Sequence, residues 1–128
     1  MKILLDTHLF LWASTAAPRL SEEQREIFLD QMNDLHLSVA SFWEMLIKAG
    51  LGKLPLPERA TEYLVKQMEK NRITLLPIRI AHLAELQKLP PLHRDPFDRL
   101  LIAQAKAQKM RMLSGDARMR DFGVEVTS

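Results

Sequence analysis

A chain of 128 residues suits one compact domain with a real core, spanning 1–128, and leaves little room for a second. Its 47% hydrophobic and 27% charged residues mark an ordinary globular protein rather than a disordered one, and a net charge of +2 names no partner. The absence of cysteine excludes disulfides, thiolate nucleophiles and cysteine zinc sites, and His8, His36, His82 and His93 form no His-x-x-x-His pair.

Met1-Lys2 before Ile3-Leu4-Leu5 has the outline of a signal peptide, but Asp6 and His8 interrupt it at once. The longest unbroken apolar run, Leu9 to Ala13, is too short to cross a bilayer, so a cytoplasmic protein with no membrane association is expected. Lys2–Asp6 instead reads as a strand buried on both faces, followed by a helix from Leu9. Ser21-Glu22-Glu23-Gln24 resembles a capping box for a second helix, with Ile27, Phe28 and Met32 on its inner face. Leu35–Ala40 is the second strand. Ser41-Phe42-Trp43-Glu44 fits a capping box for a helix through Lys48, ended by Gly50 and Gly52.

Pro55 and Pro57 open a helix from Glu58 to about Lys70. Ile73–Pro77 is a third strand, Ile80 to Lys88 a short helix, and Pro90-Pro91 an extended link. Asp95 then caps a helix with Pro96 at its first position and Asp98 in its first turn. Met110–Leu113 gives a fourth strand ending in Ser114-Gly115-Asp116. A short helical segment through Met119 leads to a weak strand, Val124-Glu125-Val126. Strands alternating with helices, several of them solidly apolar, indicate an α/β sandwich with a largely parallel sheet.

In such a sheet Asp6, Glu44, Asp98 and Asp116 share one end, since each closes a strand or opens a helix. Each has a capping alternative, and Glu44 can also pair with Lys48. Capping explains the residues singly but not why all four are carboxylates with no lysine or arginine obliged to sit among them. Gathered carboxylates need a cation, and an all-oxygen set suits Mg²⁺, with Mn²⁺ as a substitute. Such an ion activates water for attack on a phosphodiester.

Eight of the 18 basic residues lie between 88 and 120, Arg94 and Arg99 among them, against three acidic ones, a pattern that suits a polyanion near the site. Sixteen acidic residues less the four leave 12, so the remainder of the chain is basic by six charges. His8, two residues from Asp6, reads as a packing residue of the first helical turn rather than a general base. Trp12, Phe42, Trp43 and the seven methionines read mostly as core, with some apolar residues between Leu9 and Ile47 reserved for partner contacts.

Leu4-Leu5-Asp6-Thr7-His8, then Ser41 to Lys48 with Gly52-Lys53-Leu54, then His93 to Ala105, then Leu113-Ser114-Gly115-Asp116 occur in this order. Over the whole chain this resembles a PIN-domain nuclease, and in particular the VapC-like toxins of type II toxin–antitoxin pairs. The resemblance implies a three-layer α/β/α sandwich around a central five-stranded parallel sheet. It implies a Mg²⁺-dependent endoribonuclease that inhibits translation, forms a homodimer and is blocked by a cognate antitoxin. By position, the family's catalytic and metal-binding acids fall on Asp6, Glu44, Asp98 and Asp116. Thr7, Asp95 and Ser114 support them, Ser114 standing where the family often has Thr.

Three alternatives stand beside this reading. A phospho-receiver domain needs paired acids after the first strand and a lysine ending a late one, and a haloacid-dehalogenase-type phosphatase needs Asp-x-Asp where this chain has Asp6-Thr7-His8. A catalytically inactive binding module of the same fold is the third alternative, against which stand the four intact carboxylates.

Overall fold

The computed structural model describes residues 1–14, 20–92 and 95–127. Five parallel strands, β1 (Lys2–Leu5), β2 (Asp34–Ser38), β3 (Ile73–Leu76), β4 (Arg111–Leu113) and β5 (Val126–Thr127), form one sheet in the order β3-β2-β1-β4-β5. β1 pairs Leu4 with His36 on one side and with Met112 on the other, so the first strand is the central one. Strand order reverses beside it, which places the ligand-binding crevice of a parallel sheet at the carboxyl ends of β1 and β4.

The two-residue period of a strand divides the core. Ile3 and Leu5 join Phe10, Phe28, Met45 and Leu64 on one face, under α1 (Thr7–Ser14), α2 (Glu22–Leu29), α3 (Val39–Gly50) and α4 (Ala60–Lys70). Leu4 joins Leu101, Ile102, Met112 and Phe122 on the other, under α5 (Ile80–Lys88), α6 (Pro96–Gln108) and a 3₁₀ helix at Ala117–Phe122. This is the expected three-layer α/β/α arrangement. No helix among the described residues is long and apolar enough to cross a membrane.

Several boundaries differ from the sequence reading. α1 starts at Thr7 rather than Leu9, because the Asp6 carbonyl already accepts the Phe10 amide at 3.0 Å. α2 stops at Leu29, where Asp30 leaves helical geometry and its carboxylate accepts the Met32 amide at 2.9 Å; Met32 is therefore 82% exposed and not on an inner face. α4 begins at Ala60 instead of Glu58, without a side-chain cap. The fifth strand, Val126–Thr127, meets the expected span Val124–Val126 only at Val126. Of the seven methionines, Met45, Met68, Met110, Met112 and Met119 are core as expected, whereas Trp43 is 58% exposed.

Between the layers runs a buried polar chain. Ser38 donates to Gln104 of α6, and the Gln104 amide reaches the Pro77 carbonyl and His82 Nδ1, both at 3.3 Å. His82 Nδ1 also accepts the Arg79 amide at 3.0 Å, and its Nε2 lies 2.9 Å from the Gln108 amide nitrogen.

Candidate functional site

The last rung between β1 and β4 joins the Asp6 amide to the Leu113 carbonyl at 2.9 Å, which sets Asp6 and Ser114 side by side at the sheet's carboxyl end. Both are buried. The Ser114 hydroxyl donates to Asp6 Oδ2 at 3.2 Å and accepts the Asp116 amide at 3.0 Å. Burial raises the Asp6 pKa, against the lowering effect of His8 and of hydrogen bonds from Ser114 and the Thr7 backbone. Gly115, between Ser114 and Asp116, leaves room for Trp12, since a Cβ there would come within 3.0 Å of the indole.

α3 presents Glu44 from its second turn. Its N-cap is Ser38, whose hydroxyl accepts the Ala40 amide at 3.0 Å, and not Ser41, so Glu44 is not a capping-box residue. Ser41 is instead buried one turn along the helix, where its hydroxyl accepts from Thr7 at 2.8 Å. Thr7 also lies 3.0 Å from Glu44 Oε1, and Lys48 Nζ is 2.7 Å from Glu44 Oε2.

α6 delivers Asp98. The Asp95 carboxylate caps the helix, accepting the amides of Phe97 at 2.8 Å and Asp98 at 3.3 Å, with Pro96 in the first turn as anticipated. Asp98 is half-buried and its carboxyl is pushed up to about 7, first by burial, then by the charges of Asp95, Asp6, Glu44 and Asp116. Asp116 caps the 3₁₀ helix through the Arg118 amide at 3.0 Å and is forked by the Arg118 guanidinium at 3.0 and 2.8 Å. The carboxylates named from the sequence therefore act on one another electrostatically, with Asp98 feeling all the rest.

A family profile for the PIN domain matches residues 3–125. The chain belongs to the PIN domain family. It is 39% identical over 71 residues to Ribonuclease VapC16 of Mycobacterium tuberculosis, a match covering 52% of this chain and 50% of that protein. The chain thus spans about half the length of the curated relative it matches. Among solved structures it resembles VapBC2 of Rickettsia felis bound to a promoter DNA fragment (TM-score 0.76, 15% identity, 99% of this chain and 98% of the other). It also resembles VapBC-1 of nontypeable Haemophilus influenzae (0.67, 15%, 100% and 98%) and FitAcB of Neisseria gonorrhoeae (0.60, 20%, 98% and 96%). At these identities the structural likeness carries the fold.

On this PIN fold two features depart from the sequence reading. Lysine and arginine do sit among the acids: Lys48 takes one oxygen of Glu44 and Arg118 both oxygens of Asp116. Among the described residues Asp6 and Asp98 have no such partner, and no three carboxylate or imidazole groups are gathered tightly enough to hold an ion as they stand. The donor chemistry nevertheless fits a hard divalent cation, because the carboxylates and hydroxyls at the mouth offer only oxygen ligands, and among the described residues the four acids outnumber the two cations paired with them.

The basic stretch also divides. α6 carries Asp98 at one end and Lys106 and Lys109 at the other, about 15 Å along the axis. Lys106 donates to the Phe122 carbonyl and Arg111 pairs with Glu125, both away from the acids. Arg99 is half-buried; its guanidinium donates to the Pro90 carbonyl at 2.9 Å and the Leu89 carbonyl at 3.4 Å and lies over the Phe122 ring, a brace rather than a free cation. Arg94 lies outside the described residues. Ser41 and Lys48 are the mouth residues the sequence reading undervalued. Lys48 was visible as the i+4 partner of Glu44, whereas Ser41 was masked by its resemblance to a cap.

Proposed function

We propose that this chain is a divalent-metal-dependent endoribonuclease of the VapC kind, a cytoplasmic toxin that restrains translation until its antitoxin binds. The observation that carries the reading is Asp98, held half-buried at the sheet's switch point in the combined field of Asp6, Glu44, Asp95 and Asp116. That excess of negative charge favours a bound cation over any neutral ligand. The name of the VapC16 relative and the VapBC neighbours support the same reading.

Asp6 and Asp98 would be the principal ligands of Mg²⁺ or Mn²⁺, with Glu44 and Asp116 completing the set as Lys48 and Arg118 give way. A hard divalent ion supplies Lewis acidity toward a phosphodiester oxygen and a water nucleophile at neutral pH. The protein's own part is orientation. Thr7 holds Glu44, Ser114 holds Asp6, and Asp95 fixes the helix turn that aims Asp98. Lys48 and Arg118, which pair with Glu44 and Asp116, are suited to meet the phosphates of the incoming RNA, together with Arg94.

Two apolar grooves offer partner surfaces. One of about 490 Å³ lies between α3, α4 and β3 and takes in Trp43, Leu46 and Val65; another of about 300 Å³ joins Leu11 and Trp12 to Leu56 and Tyr63. Exposed apolar area of this kind suits homodimerisation and an antitoxin segment.

Purified protein should cut RNA with Mg²⁺ or Mn²⁺ and stop with a chelator. Asp6→Asn should abolish cutting while the fold and antitoxin binding persist. Cleavage that ignores the chelator would overturn the mechanism, and antitoxin binding by a wild type that cuts nothing would identify an inactive binding module.

A further inference from the structure

We propose that Gln24 is a positioning residue of the acidic mouth, acting from α2 through a single hydrogen bond to the Ser114 carbonyl; the inference rests on the nuclease reading above. Gln24 is 3% exposed, although it belongs to the first turn of a helix whose other early residues, Glu22, Glu23 and Arg25, face solvent. Its carboxamide is divided between two tasks. Oε1 accepts the Ser21 amide at 3.0 Å, completing a capping box with the Gln24 amide on Ser21 Oγ at 3.1 Å. Nε2 donates to the Ser114 carbonyl at 3.2 Å, across 90 residues of sequence. A backbone donor on one side and a carbonyl acceptor on the other fix which way the amide is turned.

The Ser114 carbonyl stands just past the last rung of the β1–β4 ladder, which ends at Leu113. Ser114 is fully buried, and a buried carbonyl without a partner is costly, so Gln24 supplies the bond the sheet no longer provides. With that peptide fixed, the Ser114 hydroxyl sits between Asp6 Oδ2 and the Asp116 amide. One contact from α2 thereby sets the placement of two carboxylates to which α2 contributes no acid. Outer partners of this kind change metal affinity or rate by about 10- to 100-fold when removed.

Glutamate would cap α2 equally well, because the box accepts either residue. Only the carboxamide also donates. Gln24→Glu therefore keeps the cap and sets a carboxylate oxygen against the Ser114 carbonyl, while Ser21→Ala weakens the cap and leaves the donor in place. Gln24→Met, which neither accepts nor donates, serves if Gln24→Glu folds poorly.

The test compares these variants in the full chain by hydrogen exchange at the Asp116 amide, Mn²⁺ titration calorimetry, RNA cleavage and thermal melting. In Gln24→Glu the Asp116 amide should exchange faster, Mn²⁺ affinity and kcat should each fall about tenfold, and KM for RNA should stay within about twofold. Ser21→Ala should lower the melting temperature and leave the other three readouts alone. Unchanged exchange and Mn²⁺ affinity in both Gln24 variants would reduce Gln24 to a cap and overturn the proposal, as would equal losses in Ser21→Ala. A wild type that neither binds Mn²⁺ nor cuts RNA, while Gln24→Glu still releases the Asp116 amide, would overturn the nuclease reading and uphold the positioning of Ser114.

Discussion

Ser114 donates its hydroxyl to Asp6 Oδ2 at 3.2 Å, joining the ends of two adjacent strands that lie 108 residues apart in the chain. The same oxygen accepts the Asp116 amide, so one small side chain serves two acids. Ser114→Ala strips both partners inside a buried site and should cost about 1–3 kcal/mol of stability, measured by urea denaturation. It should also weaken Mn²⁺ binding about tenfold. Unaltered Mn²⁺ affinity would confine Ser114 to a folding role.

Asp98→Asn should abolish RNA cleavage without lowering the melting temperature at pH 8. The wild-type carboxyl, pushed up to about 7, is ionised there at the expense of burial and repulsion from Asp95, Asp6, Glu44 and Asp116, and the amide carries no such cost. A clear drop in melting temperature would place Asp98 in a stabilising contact instead.

Lys48→Met leaves Glu44, whose side chain is 4% exposed, with the Thr7 hydroxyl alone among the described residues. Since Lys48 itself is 37% exposed, the loss in a chelating buffer should be modest, about 1–2 kcal/mol. Added Mg²⁺ should then raise the variant's melting temperature by more than that of the wild type. Equal shifts would remove Glu44 from the cation-binding set.

His82 governs an acid limb of the stability curve. Burial first, then the charge of Arg79, holds its pKa below the ordinary 6.5. The unfolded chain takes up a proton near pH 6.5 that the folded chain refuses until lower pH, so stability is complete above 6.5 and declines as the pH falls below it. His82→Gln should flatten that decline in denaturant titrations over this window, and an unchanged slope would assign the limb to other groups.

Much of this arrangement was legible because local and global signals agreed. Ile3-Leu4-Leu5, stopped at Asp6, reads as a doubly buried strand, and Asp95-Pro96 as the opening of a helix, which together place Asp6 and Asp98. Ser41 misled because Ser38, three residues earlier, is an equally good cap, and Val39-Ala40 suits the end of a strand as well as the start of a helix. The capping box at Ser21 was readable, but the donor on Gln24 was not, since its acceptor is 90 residues away. Nor does a run of lysines and arginines reveal that a helix separates its two ends; charge counted along the chain says nothing about which end of α6 carries it.

The central position of β1 has a bearing on how the protein is made. Its neighbour β4 comes late after it in sequence, Ser114 at the end of β4 lying 108 residues beyond Asp6. A ribosome producing this polypeptide therefore leaves one edge of β1 unpaired until the segment that carries β4 emerges. The cleavage proposed above therefore waits on the synthesis of β4, whatever the state of the strands made before it.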